Sequence, residues 1–425
     1  MNELTIGPKD GPRIRVLYVE CSWDGTAGGS HFSLLHLVKS IREFGFDPIV
    51  VFRSDHPAMD RYAGAHIPTH TLPVKRPIHT PHRWLVPITR GSNAVGRAMA
   101  STICVWRFLQ LLRTEHIQLV HLNNSVDQGL ECQIAARLAR IPCLTHQRGY
   151  LDKVPIGARV ISRSLRAMIC VSESVRQNLL TRGFDPARTI TIHNGIDVQS
   201  FRPSGGVASV RTEFGLDLPQ PVIGIVGNIQ KWKGQDVVIR AVDVVRRAFP
   251  GVVCLIVGDV ARAFRWDVEY WESLQRQIRD LKLERSVILT GYRENVSEYL
   301  NAMDVVIHAS VEGEPFGRVI IEAMAMGKPV VAARDGGVPE IVVDGLTGYL
   351  YTPGNSNELA ERLCRLLGDR QKQLIMGKAG YDRVLSEFDS TTNARRTAAV
   401  YRAVLGSLSV ARSDADLEAG TREAR

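Results

Sequence analysis

The feature that most constrains this chain is an alternation of short apolar runs with longer amphipathic ones, repeated in two series. Arg15-Val-Leu-Tyr-Val-Glu-Cys21 is a run of strand formers. A glycine-containing loop, Asp24 to Ser30, follows it, then helical periodicity from about His31 to Phe44 and a second strand at Asp47–Phe52. Further strands are predicted at Leu119–Asn123, Cys143–Gln147, Met168–Val171 and Thr189–Ile192. The second series opens at Val222–Asn228 and continues at Val252–Asp259, Val287–Tyr292, Val305–Ala309 and Val330–Ala333. Helical patterns intervene at Asp236–Phe249, Tyr270–Leu283 and Asn295–Met303. Apolar runs with no polar alternation fit strands buried on both faces, and strands alternating with helices fit parallel sheets.

Two Rossmann-like α/β domains facing a central cleft are therefore expected. The Pro- and Gly-containing stretch from Arg202 to Pro221 is their join, giving domains at residues 1–205 and 206–388. A length of 425 residues suits two such units. From Asn357 to about Leu408 the pattern is helical, with caps expected at Ser356 and Asp389. Residues 409–425 are charged and Ala-rich, without aromatics, and read as a disordered tail. The apolar runs are too short for a membrane span, and Met1 to Arg13 has no apolar signal segment. Seven scattered cysteines without C-x-x-C spacing read as reduced, buried thiols in a cytoplasmic protein.

The chemistry-bearing segment is Glu312-Gly-Glu314-Pro-Phe-Gly317-Arg318, followed by Val-Ile-Ile-Glu322. Pro315 suits a first helical position, Phe316 to Met326 carries helix formers, and Gly327 with Pro329 ends the run. The amides of Gly317 and Arg318 would then point outward at a helix start, an arrangement that holds a diphosphate. Glu314 would stand at the mouth of that start, and Glu322 a turn further in, within reach of a ribose. The plainer reading is a first-turn dipole residue and a solvent-facing helix residue.

The whole stretch from Glu314 to Asn355, EPFGRVIIEAMAMGKPVVAARDGGVPEIVVDGLTGYLYTPGN, resembles the signature region of retaining family-4 glycosyltransferases, which have the GT-B fold. The resemblance implies that residues 1–205 form an acceptor-side domain and 206–388 the nucleotide-sugar domain, with the helix at 389–408 crossing back to the first. It implies that Glu314 lies by the donor sugar, that Glu322 holds the ribose, and that Gly317 and Arg318 bind the diphosphate. Gly28 and Gly29 match the family's Gly-Gly loop after the first strand. Lys233, in Val226-Gly-Asn228-Ile-Gln-Lys231-Trp-Lys233, matches the lysine of a cationic diphosphate loop, while Asn228 replaces the usual arginine; Lys231 or Arg318 would have to compensate. His146 matches a histidine that lines the donor-sugar pocket and stands with Glu314 and Lys233 as a candidate catalytic residue. Gly336-Gly337-Val-Pro-Glu340 is a pocket wall, Asn194-Gly195 turn chemistry, and Thr290–Arg293 the neighbourhood of the base. The donor would be a UDP- or GDP-sugar and the acceptor a hydroxyl on a glycan or glycolipid of the cell surface. No metal is expected, since the one Asp-x-Asp, Asp414-Ala-Asp416, lies in the tail. A GT-B epimerase and a non-catalytic sugar-nucleotide-binding protein are the alternatives.

Charge adds a partner. The chain carries a formal +9, and between Arg61 and Thr114 there is no carboxylate, while Lys75, Arg76, Arg83, Arg90, Arg97, Arg107 and Arg113 are interleaved with Trp84, Trp106 and Phe108. Cations mixed with tryptophan suit anionic lipid headgroups, which predicts a peripheral site at the inner face of a membrane. No nucleic-acid reader motif accompanies the stretch, so nucleic acid is not an expected partner.

Overall fold

The computed structural model describes residues 12–21, 29–72, 90–202, 207–217, 219–260 and 265–423. The chain divides into two units. The first takes the chain up to Val171, Val175–Gly195 and the segment from Asn393 onward; the second takes Ser172–Ser174 and Ile196–Thr392. The division falls at Gly195, earlier than the expected join.

The first unit runs β1 (Ile14–Glu20), α1 (Gly29–Ser40), β2 (Phe46–Phe52), α2 (Met59–Gly64), β3 (Thr69–Thr71), α3 (Arg90–Thr114) and β4 (Leu119–Asn124). It continues with α4 (Leu130–Leu138), β5 (Cys143–Gln147), α5 (Ile156–Ser162), β6 (Met168–Cys170), α6 (Glu173–Thr181) and β7 (Thr189–Thr191). Its seven strands are parallel in the order β3-β2-β1-β4-β5-β6-β7. Val16 and Tyr18 of β1 pack on one face against Leu34, Leu37 and Val38 of α1 and Tyr62 of α2.

The second unit runs α7 (Val207–Glu213), β8 (Val222–Val226), α8 (Gln235–Ala248), β9 (Val253–Val257), α9 (Arg265–Asp280), β10 (Val287–Gly291), α10 (Val296–Ala302) and β11 (Val305–His308). Then come α11 (Arg318–Ala325), β12 (Val330–Ala333), α12 (Val338–Ile341), β13 (Gly348–Tyr351), α13 (Ser356–Leu367), α14 (Arg370–Arg383) and α15 (Ser390–Glu423). Its six strands are parallel in the order β10-β9-β8-β11-β12-β13. Helix α8 shows how sequence sets packing: Val237, Val238, Ala241, Val242 and Val245 recur at helical spacing and all lie in the core. Each buried valine contributes about 1.5–3 kcal/mol relative to exposure.

Helix α15 places Ala394, Ala398, Tyr401 and Val404 in the first unit's core. It continues to Glu423, through most of the stretch expected to be a tail, because Ala, Arg, Glu and Leu dominate there and no proline interrupts them. The cap of α13 is Asn355 rather than Ser356: the Asn355 side chain accepts the Glu358 amide at 3.1 Å, which leaves Ser356 as the first helical residue. None of the seven cysteines is in a disulfide. Among the described residues no helix is long and apolar enough to cross a membrane.

In each sheet the order reverses once, between β1 and β4 in the first and between β8 and β11 in the second. Loops leaving the carboxyl ends of strands diverge at such a point, and ligands of open parallel sheets bind there.

Candidate functional site

At the second unit's reversal, the loop leaving β8 carries Asn228 and a short turn, Lys231–Lys233, closed by Gly234. Gly234 has φ +71°, and a Cβ there would stand 2.1 Å from the Ala309 carbonyl oxygen, so only glycine fits. The Val311 amide donates to the Trp232 carbonyl at 2.8 Å. These contacts hold the β8 loop on the end of β11, which carries His308, and on the loop leaving it, which carries Ser310 and Glu314.

Three donors converge on one oxygen of Glu314. Lys233 Nζ lies 2.6 Å from Oε2, Ser310 Oγ 3.1 Å and His308 Nε2 3.1 Å. The Lys233 ammonium also sits 3.8 Å from the Trp232 ring centroid, a cation–π contact that holds the chain from its other side. Burial raises the Glu314 pKa, but the charge of Lys233 and the His308 hydrogen bond outweigh it and hold the carboxyl well below the usual carboxylate range. Glu314 is thus a fixed carboxylate in a covered place.

The next residues turn into α11. Gly317, at φ +98°, caps the helix, and Arg318 is its first residue. Pro315 stands before the cap rather than at the first helical position, because the left-handed turn at Gly317 delays the helix. The loop is pinned through its backbone: the Gly337 amide donates to the Glu314 carbonyl at 2.8 Å, and Ser172 Oγ to the Pro315 carbonyl at 2.6 Å. Glu340, expected in a pocket wall, accepts the amides of Glu173 and Ser174, residues of the same unit, at 2.7 and 3.0 Å. Glu322 and Arg318 bond at 2.6 Å, both side chains largely covered. So the compensating cation expected in Arg318 is engaged by the ribose candidate itself. Lys231 and Asn228 are exposed, and the Asn228 carbonyl accepts from Gln235 at 2.9 Å. Near the expected base region, Tyr292 is exposed and Arg293 pairs with Glu213 at 2.8 Å.

In the first unit, Gly28 lies outside the described residues and Gly29 opens α1. His146 lies within β5, fully buried, stacked on His121 with ring centroids 5.5 Å apart. Burial, then the Arg148 charge and His121, lower its pKa well below the ordinary value, so the ring is neutral; neither ring nitrogen has a hydrogen-bond partner among the described residues. His121 in turn bonds Tyr401 of α15. At the β1/β4 reversal stands a group that sequence reading did not single out. Glu20, 1% exposed, accepts from Asn123 at 2.6 Å and Asn124 at 2.5 Å, and Arg148 reaches Asn123 and Asn194 at 2.6 Å each. The signal was a carboxylate inside an apolar strand run and an Asn-Asn pair ending another. His308 and Ser310 were equally visible as polar residues ending β11. Among the described residues no cluster of His, Cys, Asp and Glu has the makings of a metal site.

Two parallel-sheet α/β units, with a lysine–carboxylate pair and a glycine-capped helix start at the second reversal, define a protein of the GT-B class. Residues 27–200 match the family model described as Glycosyltransferase Family 4, and residues 208–383 the model described as Glycosyl transferases group 1. The chain belongs to these glycosyltransferases. It is 34% identical over 211 residues to the D-inositol 3-phosphate glycosyltransferase of Mycobacteroides abscessus, covering 49% of this chain and 46% of the relative, and 30% identical over 253 residues to that of Mycobacterium tuberculosis, covering 58% and 50%. The chain thus spans about half the length of the curated relatives it matches. Among solved structures, Anabaena Alr3699/HepE in complex with UDP and glucose superposes with a TM-score of 0.76 at 26% identity, over 92% of this chain and 99% of that one. A Rickettsia africae glycosyltransferase shares the fold at a TM-score of 0.78 and 20% identity, over 92% and 99%.

Proposed function

We propose that this chain is a hexosyltransferase-type enzyme that moves a sugar from a nucleoside-diphosphate sugar, a UDP-sugar foremost, to a hydroxyl acceptor, with retention of anomeric configuration and without a metal. The observation that carries this reading is Lys233 held beside Glu314 at the β8/β11 reversal, one loop ahead of the α11 start. A departing nucleoside diphosphate leaves negative charge, and a lysine with helix-start amides is what stabilises it. The likeness to a protein solved with UDP and glucose supports the donor class. Glu314, with three donors on one oxygen, orients the donor rather than attacking it; a front-face route then passes the acceptor proton to the leaving phosphate. Glu322 serves the ribose, with Arg318 aligning it. His146 is too enclosed to carry charge, so hydrogen bonding by its neutral ring is the chemistry it offers. Gly28 and Gly29 keep their assignment to the donor by position after β1. Glu20 with Asn123 and Asn124 offers a hydroxyl-binding corner for the acceptor, a glycan or glycolipid of the cell surface.

A non-catalytic nucleotide-sugar binder is the second reading, favoured by Asn228 where the family keeps a cation. Thermal shifts with UDP, GDP, ADP and dTDP, followed by turnover of the matching donor sugar, separate the two. A ligand at a hundred times its Kd stabilises the native state by about 2.7 kcal/mol. A shift with one nucleotide, lost in Glu322→Ala, is expected together with sugar release or transfer. The same shift with no turnover on any acceptor would establish the binder instead.

A further inference from the structure

The first unit's sheet is covered differently on its two faces. Helices α1, α2 and α15 pack on the face of Tyr18. Helices α3, α4 and α5 adjoin one another in that order, and the start of α4 at Gly129 lies against Leu122 and Cys21, on the other face. That is where right-handed crossovers on the far side of the β1/β4 reversal must put them. Among the described residues, every large hydrophobic side chain that the first unit exposes sits on this second layer. Ile103 is 51% and Trp106 56% exposed on α3, Leu138 63% on α4, and Ile156 83% and Val160 55% on α5. Among the described residues α1, α2 and α15 expose no large hydrophobic side chain, so the outward isoleucine, leucine, tryptophan and valine side chains are concentrated on one side of the sheet.

The charge on the same layer is mostly of one sign: its three helices carry a single carboxylate, Glu131 of α4, which pairs with Arg53 at 3.2 Å. Between Cys132 and Ser172 the only carboxylate is Asp152. On α5 the exposed apolar pair is flanked by the exposed Arg159 and Arg163, and on α3 Trp106 is followed by the exposed Arg107. A groove of about 660 Å³ beside α3, lined by Leu72, Arg107, Gln110 and Arg113, has no carboxylate in its lining among the described residues. Exposed tryptophan and aliphatic side chains interspersed with arginines are the composition that a lipid–water interface selects, rings and methyls entering the headgroup boundary and guanidinium groups meeting phosphates. An acidic protein partner would favour the arginines but would not require the hydrophobic side chains to be spread over three helices.

We infer that the α3–α4–α5 layer is a docking surface for a bilayer rich in anionic headgroups. The site therefore extends well beyond the basic 61–114 stretch, with α5 as its most exposed apolar element. The inference is independent of the donor reading, since nothing in it uses the second unit.

The test is flotation of the full chain with vesicles of phosphatidylcholine alone and of phosphatidylcholine mixed with phosphatidylglycerol. The wild type is expected to float with the mixed vesicles, to be released by high salt, and to ignore the neutral ones. Arg163→Glu is expected to weaken binding about tenfold, since one cation near such a surface is worth about fivefold and its reversal more. Lys39→Glu, an equal charge change on the exposed part of α1, is expected to leave binding unchanged. The pair Ile156→Ser and Val160→Ser is expected to lose most of its binding to the mixed vesicles at low salt while melting at the wild-type temperature. Equal loss in Lys39→Glu and Arg163→Glu would overturn the inference in favour of diffuse charge. So would the absence of vesicle binding with a concentration-dependent dimer that the Ile156/Val160 pair abolishes, which would make the occupant a second copy.

Discussion

Replacing Glu314 by glutamine is expected to tighten UDP binding and slow turnover. In the structure the Lys233 ammonium is held at 2.6 Å by Glu314. A diphosphate oxygen taking a second proton of the same ammonium, at about 2.8 Å and a tetrahedral angle, would stand about 4.5 Å from the carboxylate oxygen. At an effective dielectric of about 20, two unit charges at that distance repel by about 3–4 kcal/mol. Solvent entering an open site screens a good part, leaving about 1–2 kcal/mol, or five- to thirty-fold in Kd. Glutamine keeps the shape and an acceptor oxygen for His308 and Ser310 and removes the charge. Calorimetric titration of wild type and Glu314→Gln with UDP measures the difference directly.

Turnover should move the other way, because a neutral amide holds the donor sugar less firmly and no longer offsets the positive charge that develops on the sugar as the diphosphate leaves. A drop in kcat of about a hundredfold corresponds to losing one charge-assisted contact of about 3 kcal/mol. The pH profile sharpens the test: a carboxyl held far below its ordinary range by Lys233 and His308 is ionised throughout the working range, so Glu314 adds no acid limb between pH 5 and 8. If Glu314→Gln binds UDP ten times more weakly than wild type, the carboxylate is a direct donor ligand and the argument from charge competition fails.

Two further expectations concern stability. Gly234→Ala meets both a left-handed φ and a backbone oxygen 2.1 Å from the new methyl, so urea unfolding should show a loss of about 2–4 kcal/mol with weakened UDP binding; unchanged stability would mean the two loops are not clamped there. Lys328, whose Nζ donates to the Asn301 carbonyl at 2.6 Å, has its pKa pushed down to about 8, by burial first and by Arg370 and Arg211 after it, with Asp304 opposing. A lysine depressed in the folded state binds fewer protons there than when unfolded, so stability rises with pH between about 8 and its free value and is penalised below. Lys328→Met should therefore stabilise at pH 7 by about 1–2 kcal/mol, up to 3 from the shift less about 1 for the lost hydrogen bond, and that gain should vanish by pH 10.5; a loss of equal size at both pH values would refute it.

Much of the architecture was legible because it rests on local pattern. Runs such as Val222–Val226 and Val305–His308 are apolar on both faces, and α8 repeats its valines at helical spacing, so each element declares itself within a dozen residues. What failed were features set by contacts distant in sequence. Pro315 looks like a helix start until the left-handed Gly317 is placed, and Glu340, a first-turn residue of α12 as its position suggests, gives no hint of its partners, the amides of Glu173 and Ser174, 166 residues or more away in sequence. β3, a three-residue strand of Thr69–Thr71, has too little periodicity to be read at all.

The site shows the same division more sharply. Glu314 and Lys233 were each legible from their own loops, but their pairing was not, since 81 residues separate them. The pairing follows once the sheet order is known, because β8 and β11 are neighbours with Val305 opposite Ile223, and loops from adjacent parallel strands leave at the same edge. His308 and Ser310 then fall beside the carboxylate by register alone. The same logic brings Glu20 to Asn123 in the first unit, where β1 and β4 are neighbours with Glu20 opposite Asn123. A motif scan sees residues that are close in sequence, whereas a parallel sheet builds its site from residues that share a strand end. Polar side chains in the last two strand positions beside a reversal are thus the signal that would have found His308, Glu20 and Asn123 in advance.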